Sequence, residues 1–85
     1  MEKYCGTYTD GIYEVKVILE DDTLYYSPSW FAHIKMIPLG NDVFELLGFP
    51  VTFTYSFNQG IKSITVSGNY GWELTGKTLT GVNSP

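Results

Sequence analysis

The chain has 85 residues, of which 16% are aromatic, and a net charge of −4 with five lysines and no arginine. This composition argues against nucleic-acid binding, because no basic stripe is present to displace counterions from phosphates. The apolar runs are far shorter than the about 20 residues of a membrane-spanning helix. The single cysteine, Cys5, excludes an intrachain disulfide. These limits indicate one small β domain over residues 1–85, with its ordered part over about 4–79.

The first third of the chain predicts three strands joined by tight turns. The expected strands are Tyr4–Tyr8, Ile12–Glu20 and Thr23–Ser27. The expected turns are Asp10-Gly11 and Asp21-Asp22. Because successive side chains of a strand point to opposite faces, the inward residues are expected to be Tyr13, Val15, Val17, Leu19, Leu24 and Tyr26.

The fourth apolar run, from Trp30 to Pro38, has an ambiguous phase. Pro28-Ser29 is expected to interrupt the chain before it. The residues that face inward are either Ala32, Ile34 and Met36 or Ile37 and Leu39. A β-bulge near Met36-Ile37 would reconcile the two arrangements, because it inserts one extra residue into a strand.

The clearest pattern in the chain is the stretch from Val51 to Val66. It begins with an unbroken alternation whose apolar members are Val51, Phe53, Tyr55 and Phe57. The turn residues Asn58-Gln59-Gly60 follow, and a second strand can return with Ile64 and Val66 inward. This hairpin is expected to form the centre of the domain.

The flanking segments complete the strand map. Before the hairpin, the turn Gly40-Asn41-Asp42 leads into a short strand, Val43–Leu47, with Phe44 and Leu46 on one face. After it, the sequence predicts a loop over 67–71, a last strand from Trp72 to Leu74 that continues to Leu79, and a frayed tail from Gly81. About eight strands with essentially no helix indicate an all-β antiparallel meander that closes into a barrel or remains a half-barrel.

No catalytic or metal-binding set is apparent. The serines lie in neither a G-x-S-x-G nor an S-x-x-K pattern, and His33 is the single histidine. The aspartates fall at predicted turns, where their side chains favour the backbone geometry. With one histidine and one distant cysteine, a zinc site is not expected. We therefore expect no enzyme activity, no cofactor and no metal.

The aromatic residues are the open question in this sequence. Candidate ligand- or partner-contact residues are Tyr25, Tyr26, Trp30, Phe31, His33, Tyr70 and Trp72. Packing in the core and contact with a ligand or partner both explain this cluster, since a small domain needs large apolar side chains and a single sheet cannot bury both of its faces equally.

Several spaced motifs occur in a recognisable order. They are Tyr4-x-Gly6-x-Tyr8, Asp22-Thr23-Leu24, Ile37-Pro38-Leu39 leading into Gly40-Asn41-Asp42-Val43-Phe44, and Phe53-x-x-x-Phe57-Asn58-Gln59-Gly60-Ile61-Lys62. In that order they resemble the small lipocalin-like β domain of unknown function that follows penicillin-binding-protein-like and β-lactamase-like serine hydrolases at their C-termini. The resemblance covers about residues 4–79. It implies a compact barrel or half-barrel that acts as an accessory module without catalytic residues.

The sequence is therefore compatible with two functions. The first is a non-catalytic module that packs against a hydrolase domain of a parent chain and shapes its substrate access. The second is an independent binder of a small apolar or sugar-like ligand, using Tyr26, Trp30, Tyr70 and Trp72. The inward aromatics predict a filled interior, which favours the module. The N-terminus lacks the apolar run of a signal peptide. The compartment, and whether the chain is complete or excised, stay open.

Overall fold

Eight antiparallel strands close into a barrel, which confirms the all-β prediction and settles closure. The computed structural model describes residues 2–29, 32–68 and 71–82. The strands are β1 Gly6–Thr9, β2 Glu14–Glu20, β3 Thr23–Ser29, β4 Ala32–Gly40, β5 Val43–Leu46, β6 Val51–Asn58, β7 Ile61–Gly68 and β8 Thr78–Gly81. Each strand pairs with the next, and β8 pairs with β1. A short 3₁₀ turn, Glu2–Tyr4, precedes β1, so Tyr4 lies outside the strand that was predicted to contain it.

The β6–β7 hairpin forms the longest ladder, from Val51↔Gly68 to Asn58↔Ile61. Its alternation is confirmed at Val51, Phe53 and Tyr55, which are buried. Phe57 follows the same alternation, but the prediction that it is buried is wrong, because its exposed fraction is 41%. Phe57 is the last inward position before the turn, so it lies at the rim of the barrel, where few atoms remain to cover it.

Three two-residue turns connect the hairpins as predicted. The turn residues are Asp21-Asp22, Asn41-Asp42 and Gln59-Gly60, and all six have positive φ. This is the geometry of type I′ turns, whose twist matches that of the flanking strands. Between β1 and β2, the Asp10 carboxylate instead accepts hydrogen bonds from the Ile12 and Tyr13 amides, at 2.9 and 2.8 Å. The aspartates at these turns thus have a structural role.

The boundary between β3 and β4 differs from the prediction. β3 continues through Pro28 to Ser29, and the irregularity there is a register shift between Tyr26 and Ser29. In β4 the inward set contains the buried Met36, whereas Leu39 is exposed. The second register shift lies between Pro38 and Gly40, not near Met36-Ile37. Proline lacks the N–H that a regular ladder needs, which accounts for both positions.

The C-terminal part of the chain also differs from the prediction. Ser67 and Gly68 belong to β7 instead of a loop. Residues 73–76 form turns, and the last strand begins only at Thr78. Gly81, expected in a frayed tail, pairs with Tyr8 of β1.

The three tight turns and the N-terminal segment lie at the same end of the barrel, here called the closed end. Tyr4 seals it: the ring packs edge-on against Phe44 and Tyr55, with centroids 4.8 and 4.7 Å away. Its carbonyl accepts hydrogen bonds from the hydroxyls of Tyr8, at 2.7 Å, and Tyr55, at 3.0 Å. Its own hydroxyl donates to Asp42 Oδ1 at 2.5 Å. These contacts satisfy the buried phenol groups and hold the N-terminal segment across the barrel.

Lys62 packs beside the junction of β1 and β8. Its Nζ donates to the carbonyl of Cys5, and its stem lies against Gly81. A Cβ at Gly81 would lie 2.7 Å from Cγ of Lys62, closer than side-chain atoms can approach. The absence of a side chain at Gly81 therefore provides the space for this lysine.

Truncation of Phe53 should destabilise the barrel far more than truncation of Phe57. Phe53 is fully buried whereas Phe57 is 41% exposed, so Phe53→Ala should lower the free energy of unfolding by about 3–5 kcal/mol. The matched Phe57→Ala change should cost about 1 kcal/mol or less. Urea unfolding measures both; equal losses would contradict the assigned faces.

The tyrosines of the closed end should make stability fall at high pH. Burial raises the pKa of Tyr8 and of Tyr55 well above the ordinary value of 10.0, because a phenolate would lose its hydration there. Below pH 10 both tyrosines are protonated in the folded and the unfolded chain, and their full contribution to the free energy of unfolding is present. Above it the unfolded chain loses these protons while the barrel keeps them, so the free energy of unfolding falls as pH rises towards the raised pKa values, by at most about 1.4 kcal/mol per pH unit for each tyrosine.

Urea unfolding between pH 8 and pH 11 tests this dependence. Tyr55→Phe should make the decline shallower, since one linked ionisation is removed. An unchanged slope in that variant would show that Tyr55 does not contribute.

Candidate functional site

The candidate site is a pocket at the end of the barrel opposite Tyr4. Because neighbouring strands are antiparallel, segments 10–13, 47–50 and 71–77 lie together at this end, here called the open end. The pocket has a volume of about 250 Å³. Its lining residues are Tyr26, Pro28, Ile34, Leu46, Phe49, Val51 and Trp72. The interior, expected to be filled throughout, therefore has a recess at the open end.

Three aromatic rings form one wall and the floor beside it. Tyr26 and Trp72 have ring centroids 5.5 Å apart, and Phe53 packs against both, at 5.7 Å from Tyr26 and 6.4 Å from Trp72. Phe53 is fully buried beneath the pocket. Since aromatic contacts of this kind are worth about 0.5–1.5 kcal/mol each, the wall is held in place without a ligand.

Backbone hydrogen bonds hold Trp72 at the open end. The amide of Gly76 donates to the Val66 carbonyl at 2.7 Å, and the Val66 amide donates to the Lys77 carbonyl at 3.0 Å. Leu74, between these anchors and Trp72, is buried in the core. Residues 72–77 are therefore fixed to the barrel, and Trp72 lies at the pocket just before an anchored turn.

The described lining of the pocket is uncharged. Two of its side chains can form hydrogen bonds, the Tyr26 hydroxyl and the Trp72 indole N–H. Burial raises the pKa of Tyr26, so this phenol remains protonated at neutral pH. The remaining lining side chains are aliphatic or phenyl groups, which offer contact area only.

The structure separates the candidate residues predicted from the sequence. Tyr26 and Trp72 meet in the pocket wall. Tyr25 and His33 instead lie together on the outer face of β3 and β4, with ring centroids 6.2 Å apart, and His33 Nε2 is 4.0 Å from Glu20 Oε1. The other predicted candidates, Trp30, Phe31 and Tyr70, lie outside the described residues.

Phe49 and Pro28 also line the pocket, although neither was among the candidate residues expected from the sequence. Phe49 lies in the short segment Gly48-Phe49-Pro50, between two strands. The sequence does contain a signal for Phe49, because an aromatic residue is unusual in a connection that normally carries polar residues. Pro28 was treated as a break, and only the continuation of β3 places it at the pocket.

Within residues 2–29, 32–68 and 71–82, no group of three or more His, Cys, Asp or Glu side chains is arranged to hold a metal ion. The same residues include no helix long and apolar enough to cross a membrane.

Comparisons of the chain with protein-family models, with curated proteins and with solved structures found no match.

Proposed function

We propose that this protein is a non-catalytic binder that holds a small apolar ligand in the pocket at the open end. The observation that carries the proposal is the recess of about 250 Å³ between Tyr26, Trp72 and the aliphatic and phenyl side chains that complete its lining. Ligand sites are typically concave and mostly apolar, with a few placed polar groups. The Tyr26 hydroxyl and the Trp72 N–H are such groups.

The lining favours an apolar ligand over a sugar. A sugar carries many hydroxyl groups, and each one that is buried without a hydrogen bond costs about 1–3 kcal/mol. Two polar side chains in the described lining are too few to satisfy them. An apolar ligand makes no such demand, and its contact with Ile34, Leu46 and Val51 removes apolar surface from water.

Binding without chemistry is the role that these side chains support. General acid–base or nucleophilic catalysis needs a nucleophile or a titrating group within hydrogen-bond reach of the substrate. Tyr26 is the titratable residue of the described lining, and burial raises its pKa further above neutrality, so its phenol stays protonated.

Naphthalene is a suitable first probe, and Phe49 and Phe57 provide a matched pair of variants. The two phenylalanines have similar exposed fractions, 36% and 41%, but Phe49 lines the pocket and Phe57 lies at the closed end. We expect saturable binding by isothermal titration calorimetry, weakened roughly fivefold to tenfold by Phe49→Ala through lost apolar contact. Phe57→Ala should leave the affinity unchanged.

Absence of saturable binding, or equal loss in both variants, would contradict the proposal. Unfolding curves of each variant show whether the barrel is intact, so that a folding defect is not read as lost binding.

A second candidate function is the accessory module that packs against a hydrolase domain. The observation in its favour is exposed apolar surface at the open end beyond the pocket. Ile12 and Leu47 have exposed fractions of 84% and 56%. Exposed apolar residues on a rim are typical of protein contacts. In this arrangement the module would contact the hydrolase through its rim and alter substrate access there.

Substitutions on the rim test the module separately from the pocket. The chain should bind a β-lactamase-like hydrolase domain in sedimentation experiments, and Ile12→Asp with Leu47→Asp should weaken that complex while naphthalene binding persists. Ile61→Asp, at the closed end and 54% exposed, is the control.

By itself the chain should leave ester, β-lactam and peptide substrates intact. Turnover that is lost on changing one serine or His33 would overturn the non-catalytic assignment.

A further inference from the structure

The size of the open-end pocket limits the length of its ligand. A cavity of about 150 Å³ is enough for benzene, whereas drug-sized ligands need about 300–1,000 Å³. The volume here, about 250 Å³, suits one or two rings.

Core side chains of the described residues lie directly below the pocket. Phe53 and Val66 are fully buried below it, and Tyr4, Tyr8 and Tyr55 occupy the closed end. A long acyl chain would need space that these side chains already fill.

The charges near the open end disfavour an anionic ligand. The described lining residues are uncharged, and Glu73 follows Trp72 directly in the chain. The ammonium of Lys77, in the same connection, lies 5.4 Å from the ring centroid of Tyr13. The pKa of Asp10 is lowered mainly by hydrogen bonds from the Tyr13 and Ile12 amides, and also by this ammonium. A carboxylate that entered the pocket would lose hydration without gaining a cationic partner, which is strongly unfavourable.

Tyr26 offers the polar contact for such a ligand. Its side chain lies on the inner face of β3, pairs with the rings of Phe53 and Trp72, and is 8% exposed. Its neutral hydroxyl can donate one hydrogen bond to an acceptor on a ring substituent. The packing of its ring on two sides fixes where that hydroxyl lies.

We infer that the pocket selects an uncharged compound of one or two rings with one hydrogen-bond acceptor, and rejects the corresponding carboxylate. This inference rests on the proposed function and adds the chemical class of the ligand. The selection follows from the uncharged lining and the size of the recess, with Tyr26 as the specificity-determining residue.

A naphthalene series tests the charge selection with one ring system. Methyl 1-naphthoate, 1-naphthoate, 1-naphthylmethylammonium and naphthalene are titrated into the full chain at pH 7 by calorimetry. The ester should bind most tightly. The carboxylate should bind roughly 100-fold more weakly, because an unpaired charge is buried, and the ammonium compound should also bind more weakly than the ester. Methyl dodecanoate, neutral but too long for the recess, should show no saturable binding.

Tyr26→Phe tests the role of the hydroxyl. It should lower the affinity for the ester roughly fivefold relative to the affinity for naphthalene, the effect of one lost neutral hydrogen bond. Tyr25→Phe, the same change on the outer face of β3, is the control and should alter neither affinity.

The outcomes distinguish failure of the ligand selection from failure of the proposed binding function. If naphthalene binds but 1-naphthoate, the ammonium compound or methyl dodecanoate binds as tightly as the ester, the selection is wrong and the binding function stands. If Tyr26→Phe weakens naphthalene and ester equally, the hydroxyl is not the specificity determinant. If no member of the series binds, the proposed function itself fails.

Discussion

The pairing of β8 with β1 converts a curved sheet into a barrel, and the rest of the structure depends on that closure. β8 has four residues, and two of them pair with β1. Lys62 reinforces the junction, because its stem lies against Gly81 and its ammonium donates to the carbonyl of Cys5. Closure removes both exposed edges of the sheet. It also gathers the inward side chains of eight strands into one core, which a chain of this length needs.

The two ends of the barrel differ because their connections differ. The two-residue turns at the closed end are too short to form the walls of a pocket, and the Tyr4 ring covers the core side chains there. Longer connections at the open end carry Phe49 and Trp72 to the mouth of the barrel, where they stand above the buried Phe53. One end of the barrel is therefore covered, and the other has a recess. The two proposed functions, binding of a small ligand and contact with a hydrolase domain, would both use this open end but through different residues.

Much of the fold was predictable because it depends on local patterns. Alternation identified the inward residues of β2, β5, β6 and β7, and turn residues located the three tight hairpins. The site was less predictable. Tyr26 and Trp72 were candidates from their aromatic character, but Phe49 was not, and Tyr25 differs from Tyr26 only in the face to which it points. Phe57 was assigned inward correctly by phase, yet its height in the barrel leaves it exposed.

The sequence by itself determined the strand periodicity and the positions of the three tight turns, since each depends on residues close together in the chain. Only the tertiary structure decided which inward positions are covered, where Trp72 lies and that a recess exists. Those properties depend on pairs far apart in sequence, such as Val66 with Gly76 and Lys77, or Tyr26 with Trp72. No local pattern encodes them, because the space beside a side chain is set by whichever distant strand or connection packs next to it.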